Sequence, residues 1–253
     1  MLGKRMLIDT SKCTACRACM VACKQWHSLP AVDTEFTGSY TNPPDLTGAD
    51  LTNVQFTEAE VVGKLRFLFF NNRCRHCDAP TCRVACPLVP KAIKRQANGI
   101  VRIDPALCNP TLCSTNAIKP CQTACPFKSI GDGVIGIPKR EYVKDGSPVS
   151  TVMRKCDLCY NRFANPTLRG DYDPIPPGSV KYKGSNKPAC ALTCPPGAIK
   201  VGVADKMLNQ ARARVNKLKA AGYPNANVYP AGLATHVIWV LTEAPSAYGI
   251  VAA

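Results

Sequence analysis

The sequence predicts an α+β fold in which short strands and single helical turns alternate around cysteine-rich loops. Sixteen cysteines occur among the 253 residues, and they form four groups of four. Three of the groups end in the same C-x3-C-P pattern, which indicates an internal repeat. One long amphipathic segment, residues 204–221, follows the last group and predicts a C-terminal helix.

Short apolar segments are predicted as strands next to the cysteine loops. Residues 6–9 precede the first group, residues 100–104 alternate after a turn at Gly99, and residues 149–153 precede the fourth group. Residues 236–242 form a further apolar segment near the C-terminus. The repeated unit is therefore a strand, a cysteine loop, a short helical turn, Cys-Pro and another strand.

Three segments lie outside this repeat. Residues 24–63 are polar and contain Pro43-Pro44, so we interpret them as an ordered insertion or a partner-contacting loop. Residues 160–189 are rich in proline and glycine, which disfavours a helix. In the third segment, residues 204–221, five apolar residues share one face and Gly222 follows the last turn.

The spacing of the cysteines decides their chemistry. Disulfide frameworks are typical of short secreted chains, and this chain is long enough to bury a core without them. Zinc sites use two C-x2-C pairs and need neither C-x2-C-x2-C nor repeated C-x3-C-P. Iron–sulfur ligation fits better than either alternative. The groups are Cys13, Cys16, Cys19, Cys23; Cys74, Cys77, Cys82, Cys86; Cys108, Cys113, Cys121, Cys125; and Cys156, Cys159, Cys190, Cys194.

The C-x2-C-x2-C-x3-C-P spacing is that of two-cluster bacterial ferredoxins. There, three cysteines of a group bind one cluster and the fourth binds the neighbouring cluster. Applied to four groups, this rule pairs the groups two by two. The sequence therefore predicts two bacterial-ferredoxin-like modules with long loop insertions, a C-terminal helix and four [4Fe–4S] clusters.

Composition limits the other function classes. The formal net charge is +15, but four clusters with their thiolates would remove about 8 charges and leave about +7. Because no basic and aromatic residues are interleaved for base stacking, we expect no nucleic-acid partner. The longest apolar runs are too short for a membrane span, and we expect no export signal in the N-terminal residues. No catalytic triad, paired carboxylates or phosphate loop is apparent.

Several segments resemble one family closely. They are CTACRACMVACKQWHSLPA, TGSYTNPPDLTGADL, VQFTE, NNRCRHCDAPTCRVACP, RKCDLCYNRF and PACALTCPPGAIKVG. The chain resembles the iron–sulfur (beta) subunit of molybdenum- or tungsten-dependent formate dehydrogenases, within the dimethyl-sulfoxide-reductase superfamily. The resemblance covers nearly the whole chain and, because a C-terminal transmembrane helix is lacking, implies the soluble branch of the family.

The resemblance implies how the groups pair. Group one would pair with group four, giving a first module of residues 1–63 and 145–253, and group two with group three, giving a second module of residues 64–144. The four implied ligand sets are Cys13, Cys16, Cys19, Cys194; Cys23, Cys156, Cys159, Cys190; Cys74, Cys77, Cys82, Cys125; and Cys86, Cys108, Cys113, Cys121.

Two groups depart from the ferredoxin pattern. Cys23 is followed by Lys24 instead of proline, as it is in the resembled subunits. The third group has the wider spacing C-x4-C-x7-C-x3-C, which predicts a distorted loop and leaves a three-iron or modified cluster open there.

The resemblance also implies a non-catalytic role with defined partners. These are a catalytic (alpha) subunit with a molybdenum or tungsten bis-pterin centre and an external electron carrier such as a cytochrome c or ferredoxin. Export with the catalytic subunit predicts a periplasmic location, with the cytoplasm as the alternative. The equivalent subunit of a thiosulfate, polysulfide, arsenate, nitrate or dimethyl sulfoxide reductase, or a free-standing polyferredoxin, remain alternative functions.

Basic residues and histidines near the loops receive plain interpretations. Arg17, Arg73 and Arg75 are expected on the solvated surface, although they could also raise cluster potentials. His27 and His76 are expected to pack or form hydrogen bonds near the clusters, because four complete cysteine quartets need no histidine ligand.

Overall fold

The computed structural model describes residues 3–27, 29, 34–116, 118–127, 152–160, 162, 187–232 and 234–250. Most of the insertion predicted over residues 160–189 lies outside these ranges. The strands are β1 Lys4–Asp9, β2 Thr52–Val61, β3 Lys64–Arg73, β4 Ile93–Arg95, β5 Val101–Ile103, β6 Ile199–Val203, β7 Asn227–Tyr229 and β8 Val237–Leu241. The helices are α1 Ala18–His27, α2 Thr81–Ala85, α3 Pro110–Cys113, α4 Pro120–Thr123, α5 Ala189–Leu192 and α6 Ala204–Ala220. This mixture of short helices and strands confirms the predicted α+β class.

The largest sheet has four strands in the order β6-β1-β8-β7. Strand β1 pairs antiparallel with β6 and parallel with β8, so that Met6 lies opposite both Val201 and Val237. All five residues of β8, VIWVL, are fully buried, which explains why this strand is continuously apolar instead of alternating. The strands predicted over residues 6–9 and 236–242 are confirmed.

Helix α6 covers one face of this sheet. Met207, Ala211, Val215 and Leu218 recur at helical spacing, and they pack in one cluster with residues of β1 and β8. The helix ends where Gly222 adopts a left-handed φ of +90°. The helix predicted over residues 204–221 is therefore confirmed.

Strands β2 and β3 form a long hairpin that is not predicted from the sequence. They pair from Thr52↔Arg73 to Val61↔Lys64, and the turn between them has positive φ at both Val62 and Gly63. The polar insertion of residues 24–63 thus ends in an ordered strand. The boundary predicted at residue 64 falls between these paired strands, and the division into two modules stays a prediction.

Strands β4 and β5 form a short hairpin, and β5 lies within the segment predicted over residues 100–104. The segment predicted as a strand over residues 149–153 is different. Its described residues, Val152 and Met153, are not in a strand; they are buried against Cys82, Cys86 and Cys108. Packing against the cysteine loops has replaced strand pairing there. Within the described ranges, no helix is both long and apolar enough to cross a bilayer.

The turn between β4 and β5 allows a test of the contact between Gly99 and His236. Gly99 has a φ of +89°, and a Cβ at this position would overlap the imidazole of His236. We expect Gly99→Ala to lower the free energy of unfolding by about 2–5 kcal/mol, because strain in the left-handed region and overpacking add.

Gly222→Ala is the matched control. Gly222 also has a positive φ, but a Cβ there would have no neighbour within 4 Å, so we expect a loss of only about 1–2 kcal/mol. Denaturant unfolding of the two variants compares these values, and equal losses would contradict the proposed role of the His236 contact.

Candidate iron–sulfur centre

The first cysteine of three groups is followed by the same backbone bend. The residue two positions after Cys13, Cys74 and Cys156 has a left-handed φ, +52° at Ala15, +52° at His76 and +56° at Leu158. Because a residue other than glycine is strained there by roughly 1–2 kcal/mol, the repeated bend indicates a functional constraint. The same bend therefore lies within the C-x2-C pair of three groups.

The third group has a different local structure between its first two cysteines. Its wider C-x4-C spacing contains the single helical turn α3, and the Asn109 side chain caps that turn by accepting from the amides of Thr111 and Leu112. Pro110 occupies the first helical position, where no backbone donor is needed. The predicted distortion of this loop is therefore a short capped helix.

Short helices carry the second half of each group. Cys19 and Cys23 lie on α1, Cys82 on α2, Cys121 on α4 and Cys190 on α5. The last cysteine of the second, third and fourth groups follows just after its helix ends. About one helical turn therefore separates the final two cysteines of each group.

All sixteen cysteines are free thiols. Ten are buried, and Cys16 is the one exposed thiol. Intermediate exposure is found for Cys13, Cys77, Cys113, Cys125 and Cys194. Most of the thiols therefore lie in the interior of the protein.

The thiols of groups one and four lie close enough to influence each other. Burial raises the pKa of Cys13, and the charges of Cys194 and Cys16 raise it further. Burial raises the pKa of Cys19 to about 12, with further contributions from Cys190, Cys13 and Cys194 and an opposing one from Arg73.

A second gathering involves the remaining thiols of these groups. Burial raises the pKa of Cys23 well above its usual value, and Cys156 and Cys190 add to that effect. The pKa of Cys159 is raised in the same way by burial, followed by Asp157, Cys190 and Cys23. Chain segments more than 130 residues apart thus meet at these thiols.

Groups two and three form two corresponding gatherings. Burial raises the pKa of Cys77 to about 12, and its thiol neighbours are Cys74, Cys125 and Cys82. Burial also raises the pKa of Cys108, with Cys113 and Cys86 as its neighbours. Cys121, whose pKa is raised to about 12, lies near Cys108, Cys82 and Cys113.

The donor set fits iron–sulfur clusters. Buried thiols that oppose one another's ionisation are poorly stable as bare thiolates, whereas a multivalent metal core stabilises four of them at once. His76 also places a hydrogen-bond donor near the thiols. Its Nδ1 accepts from the amide of Val101 at 3.0 Å, so its Nε2 carries the proton. This buried Nε2 has no hydrogen-bond partner among the described residues.

The histidines and arginines are placed as follows. Nε2 of His27 lies 3.8 Å from Sγ of Cys159 and 3.4 Å from Asp157, consistent with hydrogen bonding near the thiols. The surface interpretation is wrong for Arg73 and Arg75, which are 1% and 3% exposed. Polar and aromatic partners inside the fold hold both guanidinium groups.

Three buried polar residues lie near the thiols, and for only one of them, Arg73, does the sequence suggest an effect on cluster potentials. They are Asn71, Arg73 and Lys155. A sequence signal for two of them exists, because Arg73 and Lys155 each stand directly before the first cysteine of a C-x2-C pair. Nothing in the local sequence identifies Asn71, which reaches Sγ of Cys19 across 52 residues at 3.1 Å.

Comparison with known families identifies the same regions. The family described as a 4Fe-4S dicluster domain matches residues 65–183, and a 4Fe-4S binding domain matches residues 4–25. These matches support bacterial-ferredoxin-like iron–sulfur domains in this chain.

Three curated relatives are similar over most of the chain. The nitrate-inducible formate dehydrogenase iron–sulfur subunit of Escherichia coli (strain K12) is 38% identical over 240 residues, which are 94% of this chain and 68% of the relative. The formate dehydrogenase subunit beta of Megalodesulfovibrio gigas is 33% identical and covers 87% of this chain and 86% of the relative. Formate dehydrogenase 2 subunit beta (cytochrome c-553) of Nitratidesulfovibrio vulgaris is 33% identical, with 98% and 97% coverage.

Removal of iron should loosen the fold unevenly. The buried apolar cluster that includes Ile93 of β4 and Val101 of β5 contains four cysteines among its nine described residues, namely Cys82, Cys86, Cys108 and Cys121. The described residues of the cluster under α6 include no cysteine. We expect amide exchange in β4 and β5 to accelerate at least about tenfold more than exchange in α6 when iron is chelated. Hydrogen-exchange mass spectrometry measures both, and uniform loss of protection would contradict this expectation.

Proposed function

This chain belongs to the family of formate dehydrogenase iron–sulfur subunits, and we propose that it carries electrons through four [4Fe–4S] clusters between a catalytic subunit and an external acceptor. The observation that carries this proposal is the meeting of distant thiols: Cys13 lies near Cys194, and Cys77 lies near Cys125. Each pair joins the start of one group to the end of another, as the ferredoxin rule requires.

The proposed ligand sets follow from these neighbours and from the family resemblance. Each set takes three cysteines from one group and one from its partner group. When bound, the clusters supply reversible one-electron transfer. The sets are Cys13, Cys16, Cys19, Cys194; Cys23, Cys156, Cys159, Cys190; Cys74, Cys77, Cys82, Cys125; and Cys86, Cys108, Cys113, Cys121.

The protein contributes shape, dryness and charge around each set. The left-handed bends within three C-x2-C pairs and the helical turns between the last two cysteines of each group support this arrangement of loops. Burial of Cys23, Cys156 and Cys159 keeps water from one of these sets. Cys74 and Cys156, which are proposed for different modules, lie in the same buried apolar cluster.

The proposed partners are a catalytic subunit and a soluble carrier. The names of the curated relatives place each of them in a formate dehydrogenase, and one name includes cytochrome c-553. By analogy, we assign to this chain a molybdenum or tungsten bis-pterin catalytic subunit and a cytochrome c or ferredoxin as acceptor. The proposed location is the periplasm, reached together with the catalytic subunit, and the cytoplasm is the alternative.

Serine substitutions test the exchange of ligands between groups. Cys194→Ser and Cys13→Ser should remove or alter the same cluster, because both belong to one proposed set. Cys190→Ser should alter a different cluster, although Cys190 is only four residues from Cys194. Electron paramagnetic resonance of the reduced proteins distinguishes these signals, and identical spectra for Cys194→Ser and Cys190→Ser would contradict the proposed sets.

Formate-dependent reduction tests the function itself. The chain, purified anaerobically with its natural partners, should contain about 16 iron atoms per copy if four clusters are present. Addition of formate should bleach its visible absorbance, and a chain lacking the catalytic subunit should respond to dithionite but not to formate. Purification alone with full iron would favour a polyferredoxin, and reduction by another substrate instead of formate would favour a different reductase.

A further inference from the structure

Arg73 is a buried cation in direct contact with a thiol. Its side chain lies at the end of β3 and is 1% exposed. One terminal nitrogen donates to Sγ of Cys190 at 3.1 Å and to Sδ of Met6 at 3.3 Å, while the other donates to Oγ1 of Thr52 at 2.8 Å. The guanidinium is therefore fixed with one edge against a proposed cluster ligand.

Asn71 extends this contact to a second thiol. Its side-chain oxygen accepts from Nε of Arg73 at 2.7 Å, which leaves the amide nitrogen to donate to Sγ of Cys19 at 3.1 Å. The main-chain oxygen of Asn71 accepts from the indole of Trp239 at 3.1 Å, which holds the strand in place. Since Cys190 and Cys19 belong to different proposed ligand sets, the Arg73–Asn71 unit lies between two sets.

Lys155 is in a comparable position between the two proposed modules. It is 5% exposed, and its ammonium donates to the main-chain oxygens of Val101 and Cys156. Val101 packs in one apolar cluster with Cys82, and Cys156 directly follows Lys155 in the chain. Cys156 belongs to one proposed set, and Cys74 and Cys82 belong to another.

We propose that Arg73, with Asn71, and Lys155 are positioning residues that set cluster reduction potentials at two junctions between neighbouring ligand sets. Arg73 and Asn71 lie between the set of Cys19 and the set of Cys190. Lys155 lies between the set of Cys156 and the set of Cys74. This proposal rests on the proposed function, because it assumes that the four ligand sets bind clusters. A reduced cluster carries one more negative charge than the oxidised one, and a fixed cation in a dry interior stabilises it. N–H donors to the ligand sulfurs act in the same direction.

A cation at a junction acts on both neighbours together. A charge on the outer side of one cluster would shift that cluster alone and would separate the two potentials. A charge between two clusters raises both potentials by similar amounts, so it leaves the difference between them nearly unchanged. The hydrogen bonds support this position: Arg73 donates to Sγ of Cys190, and Asn71, which accepts from Arg73, donates to Sγ of Cys19.

The test is an electron paramagnetic resonance redox titration of the full-length, iron-loaded chain. In Arg73→Gln and in Lys155→Gln, the equilibrium constant for reduction of the adjacent clusters should fall at least about tenfold, which is about 59 mV toward lower potential for a one-electron couple. Arg73→Lys and Lys155→Arg keep the charge and should retain most of the wild-type potential.

Arg5→Gln is the matched control for both. Arg5 is also buried, at 9% exposure, but its strongest charged neighbours are Asp78 and Asp205. Its removal should leave every cluster potential unchanged. Asn71→Ala provides a second variant of milder effect, in which the potential of the Cys19 cluster should decrease while the charge of Arg73 remains.

The outcomes separate this proposal from the function on which it rests. Full iron content with unchanged potentials in Arg73→Gln and Lys155→Gln would overturn the proposal and leave the proposed function intact. Failure of the unmodified chain to bind clusters would instead overturn the proposed function. If Arg73→Gln does not load iron, unchanged potentials in loaded Asn71→Ala and Lys155→Gln overturn the proposal, whereas lowered potentials support it.

Discussion

The crowding of thiols in a dry interior is the constraint on which the rest of this structure depends. Burial, as the largest cause, and neighbouring thiols together raise the pKa of Cys156 and Cys121 to about 12. A bound metal core requires the opposite, since only thiolates are ligands. Bound clusters and internal cations together offset this cost, so folding and cofactor binding are coupled.

The sequence predicts those features that depend on local periodicity or spacing. Helix α6 shows its apolar stripe, β8 its continuous apolar run, and the cysteine groups their ferredoxin spacing. The hairpin of β2 and β3 could not be predicted in the same way. Its strands are buried only at one end, where Val54 and Phe70 pack, and Phe67 is 60% exposed at the other, so no uniform alternation marks them.

The contributions of Arg73 and Asn71 depend on this unpredicted hairpin. Both residues lie on β3 two positions apart and therefore face the same side of the strand. Stacking of Phe70 on Trp239, with ring centroids 5.1 Å apart, joins β3 to the four-stranded sheet. The same strand leads directly into Cys74, the first cysteine of group two, and its side chains also contact thiols of groups one and four.

The position of these cations changes the meaning of the basic composition. A formal charge of +15 would ordinarily indicate an acidic partner at the surface. Arg73 and Lys155 are instead buried among thiols, and burial of an isolated cation would be unfavourable without nearby negative charge. Burial lowers the pKa of both groups, but the charges of neighbouring cysteines together raise it more. Part of the surplus charge therefore belongs to the electrostatics of the proposed electron path, and a count of basic residues cannot distinguish that part from a binding surface.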